Sequence, residues 1–157
     1  MWTAFQILAA YILADLLSGL YHLATDKGMN IKSQCEMFQE HHVTNTMAGF
    51  DWQTFAGGMP LVGIGAWFHS PFWIALGVFV ALTQVTHYYA HCRSESELVH
   101  HIVRVLQLTG VIVNPTRHAR HHSEPFNRDF CLLSGWCNPA LNTALNLLER
   151  NWILKVN

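Results

Sequence analysis

From Trp52 to Cys92 the chain runs for 41 residues without a charged side chain, and residues 1–25 hold one acidic residue and no Lys or Arg. An α-helix needs ~20 apolar residues to cross a ~30 Å hydrocarbon core. These two stretches therefore predict an all-α integral membrane protein: a small bundle of about three to four membrane helices with interfacial helices beside it. Only 12% of the residues are charged, about half of what a soluble domain carries. The length of 157 residues suits one domain over 1–157, and a net charge of -1 excludes the broad basic field that nucleic acid requires.

The first expected span, Met1 to Leu23, has no basic leader and no small-residue cleavage site, so it reads as a retained membrane segment. It carries one polar stripe, Asp15, Ser18, Gly19, His22 and Asp26, at helical spacing. Ionisable groups at such depth are costly unless they meet a partner, so the stripe should face inward. Asp15 lies two turns from His22, which suggests contact with a neighbouring element or support behind the ligands, not a shared ligand sphere.

Residues 27–51 are polar, with a short helix expected around Gln34 to His42. Phe55 to Trp67 is apolar, and Gly57, Gly58, Gly63 and Gly65 would permit close helix approach. After a turn at His69-Ser70-Pro71, Phe72 to His91 forms the return arm of a hairpin whose first arm is short for a full crossing. Glu97 to Val113 has the pattern of an interfacial amphipathic helix. Asn114-Pro115 breaks it and opens the segment carrying His118, and Ala140 to Val156 is again amphipathic, suited to lie against the bundle or the membrane surface. Tryptophans 2, 52, 67, 73, 136 and 152 fall mostly where interfacial belts are expected.

All nine Lys and Arg residues lie outside the expected spans, on what a three-crossing arrangement makes a single side. The positive-inside rule puts that side in the cytoplasm and the N-terminus outside. The same arrangement gathers His22 and Asp26, His41 and His42, His87 and His91, and His118, His121 and His122 at the cytoplasmic end, and strands His69 at the far turn.

Pairs at i and i+4 present two donors on one helix face, whereas adjacent His41 and His42 diverge by about 100° and would serve different metals or different shells. Eight imidazoles and one carboxylate exceed the needs of one ion and suffice for two. A structural zinc site would favour cysteine, and a bis-His haem would use two histidines on facing helices; a dinuclear non-haem iron centre suits the count better. Cys35, Cys92, Cys131 and Cys137 form no CxxC pair and read as free thiols, with Cys131 and Cys137 as zinc ligands the alternative. His100 and His101 lack partner spacing and suit surface or headgroup contact, and His69 a structural role.

Four ordered motifs now resemble those of the plasmanylethanolamine desaturase family, membrane lipid desaturases of the Kua type that include a chloroplast phosphatidylglycerol acyl desaturase and a bacterial relative of the carotenoid light response. They are Asp15-Leu-Leu-Ser-Gly19-Leu-Tyr-His22-xxx-Asp26, Phe38-Gln-Glu-His41-His42, Thr86-His87-xxx-His91, and His118-xx-His121-His122-xx-Pro125 followed by Phe130-Cys131-xxx-Gly135-Trp136-x-Asn138. The resemblance spans residues 15 to 138. It departs at Arg117, where the family commonly has a further histidine, and at Asn45, where a proline commonly follows the His-His pair.

The resemblance implies a lipid desaturase with two iron ions, O2 as cosubstrate and electrons from an external donor of cytochrome b5 or ferredoxin type. His22, His41, His42, His87, His91, His118, His121 and His122 would be the iron ligands. Asp26 would be a ligand or orient one, and Asn138 would position a ligand or water. The substrate would be an alkyl or acyl chain of a membrane phospholipid, most simply the precursor of a plasmalogen vinyl ether; an ester-linked acyl chain, desaturated or hydroxylated, is the alternative. The chain would enter a groove beside the glycine-rich arm, with its headgroup near Arg117, Arg120 or Arg128. The site would face the cytoplasm, from the inner membrane of a bacterium or the endoplasmic reticulum of a eukaryote. A non-catalytic membrane metal sensor or transporter is the reading from another class, but a transport path should carry polar groups through the whole bilayer, and only Asp15 and Ser18 lie deep.

Overall fold

The computed structural model describes residues 1–29, 32–44, 52–92 and 96–156, with the backbone alone for Gln53, Thr54 and 151–156. Asn45 and the side chain of Trp152 lie outside the described residues. The described residues form helices and connecting turns, in the order α1 (Trp2–Asp26), α2 (Lys32–Thr44), α3 (Trp52–Ala56), α4 (Met59–Trp67), α5 (Pro71–His91), α6 (Glu97–Leu108), α7 (Pro115–His121) and α8 (Asn138–Val156).

Two helices, α1 and α5, have the length and apolarity of a membrane span. They pack side by side and parallel: Ala10 and Ala14 meet Leu76, Tyr11 sets its ring against Phe79, and His22 near the end of α1 lies beside His87 near the end of α5. Both C-terminal ends thus arrive at one end of the bundle. At the other end Trp2, Trp67 and Trp73 are exposed, as membrane-interface anchors would be.

The arm expected over Phe55 to Trp67 is not one continuous helix. It is broken at Gly57-Gly58 into α3 and α4, and α4, with 9 residues, covers less than half of a bilayer core. The break lets Gly58 rest on α5, where a Cβ would meet the Gly77 carbonyl oxygen at 2.1 Å. Two turns further, a Cβ on Gly65 would meet the Ile74 amide nitrogen at 2.4 Å. Gly58, Gly65 and Gly77 therefore close the α4–α5 contact. Gly63 takes no part, having nothing within 4 Å of a Cβ position.

Helix α6 turns its apolar stripe, Leu98, Ile102, Val105 and Leu108, outward, while Gln107 on its inner face donates from Nε2 to the Tyr89 carbonyl at 3.0 Å. An exposed apolar stripe on a short helix suits an interfacial position. Helix α8 packs Leu141 and Leu145 against Phe130, Cys131 and Leu23 and leaves Leu147 and Leu148 exposed.

The polar stripe of α1 is buried against the irregular segment 129–137. Asp15 is fully buried, and its carboxylate accepts backbone N–H groups from Ser134 at 2.8 Å, Gly135 at 3.0 Å and Cys137 at 2.9 Å. Ser18 Oγ accepts the Leu132 N–H at 2.9 Å, and Thr86 of α5 donates to the Leu132 carbonyl at 2.5 Å. Gly19 gives the segment room, since a Cβ there would lie 2.5 Å from Cys131 Sγ. An irregular backbone in a bundle interior is tolerated only when its polar groups find such partners. Gly135 sits at φ +78°, a left-handed conformation that glycine adopts without penalty, and this turns its N–H toward Asp15.

Candidate metal centre

Four helices deliver the donors. The C-terminal ends of α1 and α5 carry His22 with Asp26 and His87 with His91, α2 carries His41 and His42, and α7 carries His118 and His121 with His122 at its cap. Asn114 fixes the start of α7 by accepting the Arg117 N–H at 2.8 Å, and Pro115 occupies the first turn, where its missing donor costs nothing.

These nine side chains form two groups that could each hold a metal ion: His41, His87, His91, His118 and His122 in one, and His22, Asp26, His42 and His121 in the other, with donor atoms within 4.8 Å of one another in each. His41 and His42 part between the groups, and so do His121 and His122, while the i, i+4 pairs His87–His91, His118–His122 and His22–Asp26 stay together. His69, His100 and His101 belong to neither group.

The chemistry of the donors fits a cation. In the second group, His22 Nδ1–H donates to the Phe130 carbonyl at 3.2 Å and His121 Nδ1–H to the Arg128 carbonyl at 2.8 Å. Those bonds place the lone pair of each ring on Nε2. The two Nε2 atoms nevertheless lie 3.1 Å apart, and the Asp26 carboxylate, 3.3 Å from His121 Nε2 and 3.6 Å from His22 Nε2, is buried without a hydrogen-bond donor. Lone pairs facing lone pairs and a carboxylate repel unless a positive charge lies between them.

In the first group, His118 Nε2 lies 3.1 Å from His87 Nε2, 2.6 Å from His91 Nε2 and 3.0 Å from His122 Nε2. One ring proton cannot serve three such contacts. At a metal–nitrogen distance of about 2.1 Å, neighbouring donors are about 3.0 Å apart in an octahedron and about 3.4 Å in a tetrahedron. The observed separations suit the higher coordination number. Five histidines in one group also exceed what a tetrahedral zinc site takes.

Burial pushes the His42 imidazole down to about 4, against the opposing pull of the Asp26 carboxylate. Burial, reinforced by neighbouring histidines, holds His118 and His122 below their ordinary range as well. At neutral pH these rings are uncharged, the form that binds a metal.

Asp15 and Asn138 do not touch the donors. Asp15 anchors the 134–137 turn, and Asn138 Oδ1 accepts the Cys131 N–H at 2.8 Å, so both act on the segment whose Phe130 carbonyl orients His22. The stretch between α7 and α8 holds two left-handed non-glycine residues, Phe126 (φ 54°) and Asp129 (φ 61°). Each costs roughly 1–2 kcal/mol. Phe126 stacks on His42 with ring centroids 5.3 Å apart, and Asp129 is held by Asn142 and by Arg120 Nε at 3.1 Å. The orienting carbonyls of Phe130 and Arg128 had no side-chain signature to find. Gln84, one turn before His87, is buried with Nε2 lacking a hydrogen-bond partner.

The four cysteines are free thiols and none enters either donor group. Cys131 is buried beside Gly19, and burial pushes its thiol well above the ordinary range and that of Cys137 up to about 11. Arg117, Arg120 and Arg128 line a single cavity on the other side of α7 from the histidines.

Residues 11–151 match the lipid desaturase domain family. The chain is 31% identical over 152 residues to fatty acid desaturase 4, chloroplastic, of Arabidopsis thaliana, a match covering 87% of this chain and 46% of that protein. It is 28% identical over 156 residues to plasmanylethanolamine desaturase of Myxococcus xanthus, covering 86% and 54%, and 30% identical over 153 residues to fatty acid desaturase 4-like 1, chloroplastic, of Arabidopsis thaliana, covering 87% and 51%. The chain thus spans about half the length of the curated relatives it matches. No solved structure matches.

Proposed function

Because the chain belongs to the lipid desaturase domain family, a family of oxidoreductases acting on membrane lipids, we propose that it is an O2-dependent di-iron enzyme that introduces a double bond into an alkyl or acyl chain of a membrane phospholipid. The observation that carries this reading is the convergence of eight imidazoles and one buried carboxylate, from four helices, on two adjacent donor groups at one end of two span-length helices. Two irons held there would supply the O2 chemistry that an unactivated C–H bond demands. The balance is simple: two hydrogens leave the lipid, and two electrons and two protons come from outside, so that O2 ends as two waters. An external electron-donor protein is therefore part of the proposal.

This chain's own residues hold and aim the donors. The Phe130 and Arg128 carbonyls fix the tautomers of His22 and His121, Asp15 and Ser18 fix the segment that carries Phe130, and Phe38 and Phe126 wall the imidazoles with aromatic rings. Such walls exclude water and keep the donors in place before substrate arrives. Similarity to the Myxococcus protein favours an ether-linked chain and that to the Arabidopsis proteins an acyl chain. We place the donor end of the bundle on the cytoplasmic side, where the Lys and Arg residues gather.

Two measurements test the proposal. Purified protein should contain about two irons per chain and lose both in the H121A/H122A variant, which removes one donor from each group; a single zinc retained in that variant would overturn it. Lipids from expressing cells, supplied with iron, O2 and a competent reductase system, should show species lighter by two hydrogens. An unchanged lipid profile would favour a non-catalytic metal-binding protein.

A further inference from the structure

Helix α7 carries chemistry on both faces. Positions 118, 121 and 122 point into the donor groups, and Arg117 and Arg120, rotated by about 100° on the helix, point the other way into a cavity of about 570 Å3. Arg128 lines the same cavity, with Trp136, Asn138 and Asn142 completing its wall. Asp129 also reaches it, where one carboxylate oxygen engages Arg120 Nε at 3.1 Å. Arg117 and Arg128 pair with no carboxylate among the described residues. Three guanidiniums against one carboxylate leave an excess of about two positive charges around one concave space.

We propose that this cavity binds the phosphoryl group of a phospholipid headgroup. The inference rests on the lipid reading above and gives the headgroup expected near these arginines one shared cavity. A guanidinium presents a planar fork of N–H donors that matches phosphate oxygens in pairs, and two uncommitted forks facing one cavity can hold one phosphate from two sides. Trp136 is half exposed at the rim with its indole N–H bound to the Gly110 carbonyl at 2.8 Å, as an interfacial tryptophan at headgroup level would be. An acidic protein partner is disfavoured: a protein interface covers about 800 Å2 per side, whereas these charges gather around a space sized for a small group.

The placement ties recognition to the metal centre through one residue. Arg128 sends its side chain to the cavity, and its backbone carbonyl receives the His121 Nδ1–H at 2.8 Å. A phosphate that draws on Arg128 therefore pulls on the peptide that orients a metal donor.

The test uses the full metal-loaded chain in detergent and four probes: dihexanoyl phosphatidylglycerol, dihexanoylglycerol, inorganic phosphate and an acidic electron-donor protein of ferredoxin type. The phospholipid should bind at least tenfold more tightly than either dihexanoylglycerol, which lacks the phosphate, or phosphate alone, which lacks the chains. In R117Q/R128Q, affinity for the phospholipid should fall at least tenfold while affinity for dihexanoylglycerol and metal content stay unchanged; R117K/R128K should fall between. Wild-type affinity in R117Q/R128Q, or equal binding of dihexanoylglycerol, overturns the site. Inorganic phosphate binding as tightly as the phospholipid overturns the lipid assignment in favour of a soluble anion. A loss confined to binding of an acidic electron-donor protein overturns it in favour of a docking surface. Binding is read without turnover, so a chain that binds phospholipid but oxidises no lipid removes only the desaturase reading. A chain that desaturates lipid while its arginine variant binds as wild type removes only this site.

Discussion

His41 and His42 are neighbours in the chain, yet His41 Nε2 lies 3.1 Å from His87 Nε2 and His42 Nε2 lies 2.9 Å from His121 Nε2, so the two serve different donor groups. The peptide bond between them joins the two groups, as that between His121 and His122 does, and α2 must keep its helical phase for both to be served. Replacing either histidine removes one donor from one group. H41A and H42A should each reduce bound metal from about two ions per chain to about one, by elemental analysis of purified protein. Equal loss of both ions from each variant would mean that the groups do not load independently.

Asp15 is the anchor of the 134–137 turn. D15A leaves three buried N–H groups without an acceptor, at about 1–3 kcal/mol each if none relaxes. Partial relaxation should leave a net loss of about 3–5 kcal/mol, read as a lower unfolding temperature in detergent. D15N retains one acceptor oxygen and should lie between D15A and wild type. Wild-type stability in D15A would show that the turn is held by its other contacts alone.

Two glycines in or beside α4 make opposite predictions. G58A drives a methyl group into the Gly77 carbonyl, a backbone atom that cannot step aside, and should cost about 3 kcal/mol or more by separating α4 from α5. G63A meets nothing within 4 Å and should stabilise the helix by about 0.5–1 kcal/mol. Comparing the thermal unfolding of the pair separates helix propensity from interhelical contact.

Acid should destabilise the metal-free protein. His42 titrates at about 4 when folded and near 6.5 when unfolded, and His118 and His122 are lowered in the same sense, burial being the first cause for each. The unfolded chain therefore binds more protons than the folded one between those limits. Stability is fully present above about pH 6.5 and is lost as pH falls toward about 4. A pH series of thermal melts on metal-stripped protein should show this decline, and a melting temperature flat across the interval would count against uncharged buried imidazoles.

The clustering was legible because side chains at a short helical period converge: His22 with Asp26, His87 with His91 and His118 with His122 each lie four residues apart, and all nine side chains expected as ligands fall in two groups that could hold a metal ion. What lay hidden depends on backbone or on distant partners. Asp15 meets amides about 120 positions away, a pairing with no local pattern. The Arg128 and Phe130 carbonyls carry no side-chain label. The break at Gly57-Gly58 was concealed because an apolar glycine-rich stretch reads alike as one tilted helix or two short ones, and only the fit of Gly58 against Gly77 decides. The interior polar face of α1 was predictable from cost, since Asp15, Ser18 and His22 on one stripe could hardly have faced lipid.

That stripe also has a history during synthesis. Helix α1 is made well before the amides that satisfy Asp15, which belong to residues 134, 135 and 137. If α1 enters the bilayer as it emerges, it does so with an unmatched carboxylate, a burden of roughly 2.5–3.5 kcal/mol at mid-depth. The nascent protein must carry that burden until residues 134–137 have left the ribosome. A ribosome stalled before residue 134 should therefore leave an α1 that slips toward the membrane surface, and release of residues 134–137 is what would draw it home.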